Sequence, residues 1–480
     1  MALFAVLLIS RLCHIDILWS DEDYHQAAAL QVLHGKALYR DLWYDKPPLN
    51  AYAYLLFGAA GGAVLRVASA LFALAVCLSA FHFARRLWSL REGYFAAFLA
   101  AFSLIFYFPS ATITLEPDTW MLLPHLWAVY FAWQRRPLAA GLCAGLAMLF
   151  NVKAIFVLAA CAAVGFGAGE FAALLWLALG FLIPTAIGAA WLAWTGAWGG
   201  YLEQVWRWGF SYAGSSGALS GALTSGLVRS GNWAAFHAVL VLGALWFWWK
   251  EPQDRLKWLA WTLTAVAASA IGWRFLPRYL DQLLPPLIIA ASRGVALAFA
   301  QKQRLMRVVL AVVLLVTLLV PIIRFGPRYA ILASEELRGV PHAWSDTAMD
   351  RDSRAAGRLI EERARPGDTL FVWGYRPNLF VYTKLASASR FWDSQPLTGV
   401  AADRHLTDDR PTLGGDTAAW AAANRAELVR STPDVIADGL SLYNPRLDIH
   451  RYADLAQWLA AYCEVGRTAG TIVYRKCDAR

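Results

Sequence analysis

The sequence predicts a mainly α-helical, polytopic membrane protein that ends in a small α/β domain outside the bilayer. Three observations lead there. Apolar residues make up 59% of the chain and charged ones 16%, against roughly 25% charged in a soluble domain. Apolar runs of bilayer length follow one another with short basic clusters between them. From about residue 340 the sequence turns polar, and short β-rich runs alternate with helical ones. The 24 Trp and 18 Tyr suit two membrane–water interfaces, where rings with a polar edge collect. The net charge of +9 sits in short clusters with no long basic stripe, which argues against nucleic acid as a partner.

A helix needs about 20 apolar residues to span a bilayer. Candidate spans are 1–19, 62–84, 93–110, 118–134, 171–195, 233–249, 257–273, 278–299 and 305–323. The first, broken by Arg11 and Asp16, has no basic leader and no small-residue cleavage site, so it reads as a retained helix. Basic residues mark the intervening loops at Arg85-Arg86 with Arg91, Arg135-Arg136, Lys250 to Lys257, and Lys302 to Arg307. All four fall on the cytoplasmic side if stretch 138–168 is two half-helices hinged near Asn151–Lys153. Non-helical backbone at that depth is tolerated inside protein or beside a watery cavity. The reading is eleven helical segments in a module 1–325, with loops 20–61, 110–118 and 196–232 facing outward. An outer domain follows at 340–480.

In the tail, Pro366-Gly367-Asp368 is a turn signal ahead of a strand Thr369–Trp373. A helix follows Arg376, then a strand Ser389–Trp392, a helix Ala418–Arg430 and a strand Asp434–Ala437. The isolated Gly374 and Gly399 and the pair Gly414-Gly415 make no phosphate loop. Cys463 and Cys477 flank a hairpin near Gly470 and could be bridged outside the cytoplasm. Cys13, Cys77, Cys143 and Cys161 lie in apolar segments as packing residues.

The chemistry concentrates in the first outer loop. Asp21, Glu22 and Asp23 stand where the first helix leaves the membrane, and Asp41, Asp45, Lys46 and several aromatics follow within 25 residues of Asp21. Ala27 to Leu33 reads as helix, stopped at Gly35. A carboxylate can take a proton from an acceptor hydroxyl, and a lysine can neutralise a departing phosphate. The simpler reading, a solvated acidic loop, leaves this mixture unexplained. His25 and His34 are candidate metal ligands or ordinary hydrogen-bonding residues. Lys153, Arg274 and Arg278 are either functional charges or helix-end anchors.

The ordered set Asp21-Glu22-Asp23-Tyr24, Gly35, Tyr39, Asp41, Trp43 and Lys46-Pro47-Pro48-Leu49 resembles the first outer loop of GT-C glycosyltransferases. More narrowly, it resembles protein O-mannosyltransferases and lipid A aminoarabinose transferases with their bacterial relatives. Arg66-Val67-Ala68-Ser69-Ala70, Thr114 to Asp118, Ala144 to Lys153, Arg278-Tyr279-Leu280 through Pro285-Pro286, and the tail stretch VWGYRPNLFVYT are similar to further segments of that family. The resemblance implies Asp21 as the base, with Lys46 on a lipid phosphate beside Arg278 and Tyr279. Glu116 or Asp118 would position donor or acceptor, as would Tyr24 and Asp41. Asp23 stands where relatives carry a small or neutral residue, so the base role stays shared among Asp21, Glu22 and Asp23.

The implied donor is a polyprenyl-phosphate-linked sugar among membrane lipids, and the acceptor a glycan, lipid or protein. No nucleotide is needed by this chemistry, and a divalent metal is left open. The implied setting is a bacterial inner membrane with the site on the outer side. A lipid or glycolipid transporter is the rival class; internal repeats would mark it, and none is evident.

Overall fold

The computed structural model describes all residues except 167–168, 215–218, 254, 343, 403–405, 407–414 and 478–480. Gly414 of the Gly414-Gly415 pair thus lies outside the described residues. Helices dominate the first two thirds. Among the described residues four helices are long and apolar enough to cross a membrane: Gly62–Leu87, Phe171–Trp194, Pro277–Phe299 and Arg304–Arg338. The pair Gly221–Phe236 and Ala238–Lys250, bent by 86° at a break beside His237, makes a fifth crossing if taken as one span. Shorter apolar helices Ala2–Leu12, Pro137–Met148 and Ile155–Gly165 fill the bundle. The chain is a multi-pass membrane protein.

Helices in lipid gain little from hydrophobicity against one another, so they pack where small residues let backbones approach. Glycines supply that approach here. A Cβ on Gly294 would stand 1.8 Å from the Gly243 carbonyl, and one on Gly141 2.1 Å from that of Leu177. The stretch expected to hinge does so: Pro137–Met148 ends, Asn151 accepts from the Lys153 amide at 3.0 Å, and a 3-10 turn Val152–Ala154 starts the second half. Residues 196–232, expected as an open outer loop, hold helical segments Trp198–Tyr201, Leu202–Arg207 (a π-helix) and Trp208–Gly214. The last membrane helix runs 35 residues, Arg304–Arg338, about 52 Å at 1.5 Å per residue. That exceeds the ~30 Å hydrocarbon core, so the helix carries the chain out toward the tail.

The tail sheet has five strands: β1 Thr369–Trp373, β2 Ala386–Ser387, β3 Val435–Asp438, β4 Tyr462–Arg467 and β5 Ile472–Lys476. Their order is β2-β1-β3-β5-β4, with β1 parallel to both neighbours and β5 antiparallel to β3 and β4. The strand expected at Ser389–Trp392 is absent; β2 lies earlier, and Ser389 instead bonds Phe391 within an irregular segment. Cys463 and Cys477 are disulfide-linked at the base of the β4–β5 hairpin. The tail and the first loop share one core. Tyr24, Leu38, Tyr39, Trp43 and Tyr44 are buried with Trp373, Phe380, Phe391 and Trp392.

Candidate active site

The helix Glu22–Leu33 is built from good helix formers (Ala27 to Leu30, Gln31), with Glu22 and Asp23 in its first turn where acidic groups suit the amide end. It ends in a paired turn: Gly35, at φ +84°, donates to the Val32 carbonyl at 2.9 Å and Lys36 to Gln31 at 3.1 Å. Asp21 precedes the helix at φ +71° and ψ −40°, a conformation costing of order 1–3 kcal/mol for a non-glycine residue. Its side chain does not cap the helix. It turns instead to an ion pair with Arg278, from the 3-10 turn Pro277–Leu283 that opens another membrane helix. Both partners remain partly exposed.

The two neighbouring carboxylates are occupied differently. Glu22 is sealed from solvent and bound by Arg66, Nη2 to Oε2 at 2.7 Å and Nη1 to Oε1 at 3.2 Å, and it accepts from the Leu115 amide at 3.3 Å. Arg66 also donates to the His14 and Ile17 carbonyls. This network ties four segments together and engages both Glu22 oxygens. Asp23 is buried and accepts from the Tyr24 amide at 2.8 Å. Burial holds its carboxyl well above the usual range, and the nearby Asp350 and Glu22 add to the effect.

Lys46 pairs with Asp45 at 2.7 Å, and the Tyr39 hydroxyl donates to the Lys46 carbonyl at 2.6 Å. Pro47 and Pro48 then turn the chain into the helix Leu49–Tyr54, whose Asn50 donates to the Phe150 carbonyl at 2.6 Å beside the hinge. That bond sets the lysine next to a second polar cluster. One oxygen of Asp118 accepts from Gln282 at 2.6 Å, Asn151 at 3.0 Å and Lys153 at 3.4 Å. Lys153 also sits 3.5 Å over the Tyr279 ring, whose hydroxyl is 3.4 Å from that of Tyr212. Lys46 lies within electrostatic reach of Asp118 and Tyr212. Asp21, Arg278, Tyr279, Lys46 and Asp118 therefore gather at one end of the bundle.

Two expected residues have other bonding partners, although Glu116 stays within electrostatic reach of Asp118 and Lys153. Asp41 pairs with Arg40 at 2.8 Å on the surface and accepts from the Ala37 amide, shaping the loop. Glu116 is buried before the helix Pro117–Trp133 and bonds Thr119 at 3.4 Å. Tyr24 lies in an aromatic stack with Tyr44 at 5.3 Å, Tyr375 at 5.8 Å and Trp392 at 4.6 Å. Asp45 and Lys153, read from the sequence as candidate charges, join the site, and so do Gln282, Tyr375 and Asp393, which were not singled out for it. Of those three, Tyr375 lies in the VWGYRP stretch that the sequence signalled.

A divalent metal does not fit the side chains as they stand. Among the described residues no three His, Cys, Asp or Glu groups converge as ligands. Asp21 is engaged by Arg278, His25 by the Tyr44 hydroxyl at 2.6 Å, and His34 by the Lys384 carbonyl at 3.0 Å.

Residues 45–202 match the profile of the dolichyl-phosphate-mannose-protein mannosyltransferase family. No curated protein gives a significant sequence match. Among solved structures, ArnT from Cupriavidus metallidurans bound to undecaprenyl phosphate superposes with a TM-score of 0.58 at 15% identity, over 98% of this chain and 97% of that one. The archaeal oligosaccharyltransferase AglB from Archaeoglobus fulgidus, in complex with an inhibitory peptide and a dolichol-phosphate, gives 0.52 at 12% identity over 99% and 74%. The chain thus has the GT-C glycosyltransferase fold of these proteins, and a third of its length, residues 45–202, carries the mannosyltransferase family pattern.

Proposed function

We propose that the protein is a membrane glycosyltransferase that moves a sugar from a polyprenyl-phosphate donor to an acceptor outside the cytoplasm. The observation that carries this is the Asp21–Arg278 pair with Lys46 and Tyr279 beside it, on a fold whose relatives were solved with undecaprenyl phosphate and dolichol-phosphate. In the resting site Arg278 holds Asp21. A lipid phosphate competes for that guanidinium and for Lys46, because charge-assisted bonds to phosphate oxygens are strong in a site of low dielectric. Release of Arg278 frees Asp21 to act as base.

The reaction is a single displacement. The acceptor oxygen bonds to the anomeric carbon, the carbon–oxygen bond to phosphate breaks, and the polyprenyl phosphate leaves with that electron pair. Asp21 takes the acceptor proton, and Arg278 and Lys46 stabilise the phosphate charge. Glu22 serves as the partner of Arg66, and Asp118 orients Lys153 and Gln282 at the edge of the site.

The module 1–325 would lie in a bacterial inner membrane, with the domain 340–480 outside. Arg85 and Arg86 close the helix Gly62–Leu87 at the end opposite Arg66. Lys250 closes the helix Ala238–Lys250, whose cap residue Glu251 pairs with Arg293, more than three turns along the chain from Arg278. A basic end opposite the site agrees with cytoplasmic positive charge, and the Cys463–Cys477 bridge suits an oxidising side.

Envelope glycans and lipids compared between cells with and without the gene would reveal the product. Purified Asp21→Asn should then lose transfer by about 10²–10⁴-fold while inserting normally. Transfer at the wild-type rate would remove Asp21 from the mechanism.

A further inference from the structure

We propose that Asp393, carried by the tail domain, is a second carboxylate of this site and binds hydroxyls of the donor sugar, so that the tail helps select the sugar. This rests on the reading of the site as a sugar-transfer centre. Asp393 lies more than fifty residues beyond the last membrane helix, Arg304–Arg338, and is 3% exposed. One oxygen accepts from the Gln395 amide at 2.9 Å. No hydrogen-bond or ion-pair partner engages its other oxygen among the described residues, although Asp45 and Lys46 lie within electrostatic reach. A buried carboxylate without a cation at bonding distance is unfavourable, and its usual explanation is use.

Its placement is fixed by its neighbours. Trp392 stacks on Tyr24 at 4.6 Å and donates its indole N–H to the Trp43 carbonyl at 2.5 Å. The Arg390 carbonyl accepts from the Trp43 amide at 2.8 Å. The segment 390–393 is thus stitched to the loop two residues before Asp45. Tyr375, half-buried, lies within electrostatic reach of Asp23, Asp45, Asp393 and Arg278. One phenol therefore stands among the tail carboxylate, the acid beside Lys46 and the partner of Asp21. Burial, with a lesser contribution from Asp45, pushes the Asp393 carboxyl up to about 7. A group titrating there can donate to or accept from a sugar hydroxyl near neutral pH. Lys46, which opposes that shift, Tyr24 and Tyr375 are the other titratable groups facing this space.

The test compares two ligands on the full-length protein in nanodiscs. Undecaprenyl phosphate without a sugar and polyprenyl-phosphate sugars are titrated onto wild type, Asp393→Asn and Asp393→Ala. The expected result is unchanged binding of the bare lipid phosphate, with the sugar-bearing donor bound at least tenfold more weakly by Asp393→Ala. Asp393→Asn, which keeps hydrogen-bonding capacity, should fall between. Equal binding of the sugar-bearing donor by all three proteins overturns the proposal, as does an equal loss of both ligands. If no polyprenyl-phosphate sugar binds wild type better than the bare lipid, the proposal fails together with the transferase reading. Loss of transfer in Asp21→Asn with unaltered donor binding by Asp393→Ala sinks this proposal alone.

Discussion

At the scale of the residue, neighbouring carboxylates with similar sequence surroundings take on separate tasks through their partners. Asp21 faces Arg278, while Glu22, one residue on, is enclosed with Arg66 at 0% and 1% side-chain exposure. Removing one partner of a buried pair leaves an uncompensated charge, at a cost of about 3–5 kcal/mol. Arg66→Ala should therefore lower the thermal midpoint of the detergent-solubilised protein sharply, and Glu22→Gln combined with Arg66→Gln should recover part of it. An unchanged midpoint for Arg66→Ala would mean that the pair does not hold the loop. Asp393 gives a pH-dependent counterpart. Its carboxyl ionises near 3.8 when unfolded and about 7 when folded. Between those values the native state keeps a proton that the unfolded state releases, so native stability falls as pH rises across the window. Asparagine cannot ionise. Asp393→Asn should thus raise the midpoint most at pH 8, with a gain that shrinks toward pH 4, as read by thermal melts across pH.

The first-loop residues were legible because their chemistry is packed into one short stretch with helix and turn signals around it. Asp393 was not, because an aspartate in a polar tail is ordinary until the fold brings it within electrostatic reach of Asp45. Gln282 was likewise hidden: an uncharged amide beside Asp281 draws no notice, and its partner, Asp118, lies on another helix.

At the scale of the element, polarity and glycine decide where helices stop and touch. The break at Asn151 was readable, since an amide and an ammonium interrupt a long apolar run and the Asn151 side chain caps the turn that follows. The bend at His237 was not, because 233–249 is apolar throughout apart from that residue. Close crossings are hidden in the same way. The Gly294–Gly243 contact leaves no room for a methyl group, since a Cβ would sit 1.8 Å from a carbonyl oxygen. Overpacking a tight contact costs typically 1–3 kcal/mol. Gly294→Ala should lower the thermal midpoint, whereas Gly231→Ala, with no heavy atom within 4 Å of the new group, should leave it nearly unchanged. Equal midpoints for the two variants would show that the helices part easily.

At the scale of the whole molecule, the tail and the first loop form one unit. The Gln31 side chain donates to the Leu385 carbonyl at 3.0 Å and accepts from the Ser387 amide at 2.7 Å, and Lys36 bonds the Ser387 carbonyl. The boundary near 340, visible as a change in composition, separates sequence more than it separates cores. The proposed sidedness has its own test. In intact inner-membrane vesicles of known orientation, a thiol reagent unable to cross the bilayer should label Cys463 and Cys477 only after reduction, and only from the outer face. Labelling from the cytoplasmic face would invert the proposed topology.

The amino-acid sequence by itself determined the membrane character, the hinge at Asn151–Lys153, most tail elements and the loop from Asp21 to Lys46. Each of these depends on residues close along the chain, where apolar run length, turn chemistry and charge act directly. Tertiary structure decided which carboxylate faces Arg278, which one Arg66 seals, and that Asp393 comes within electrostatic reach of Asp45. Those outcomes depend on long-range contacts between segments up to several hundred residues apart, and pairing between distant side chains leaves no periodicity in the chain to be read.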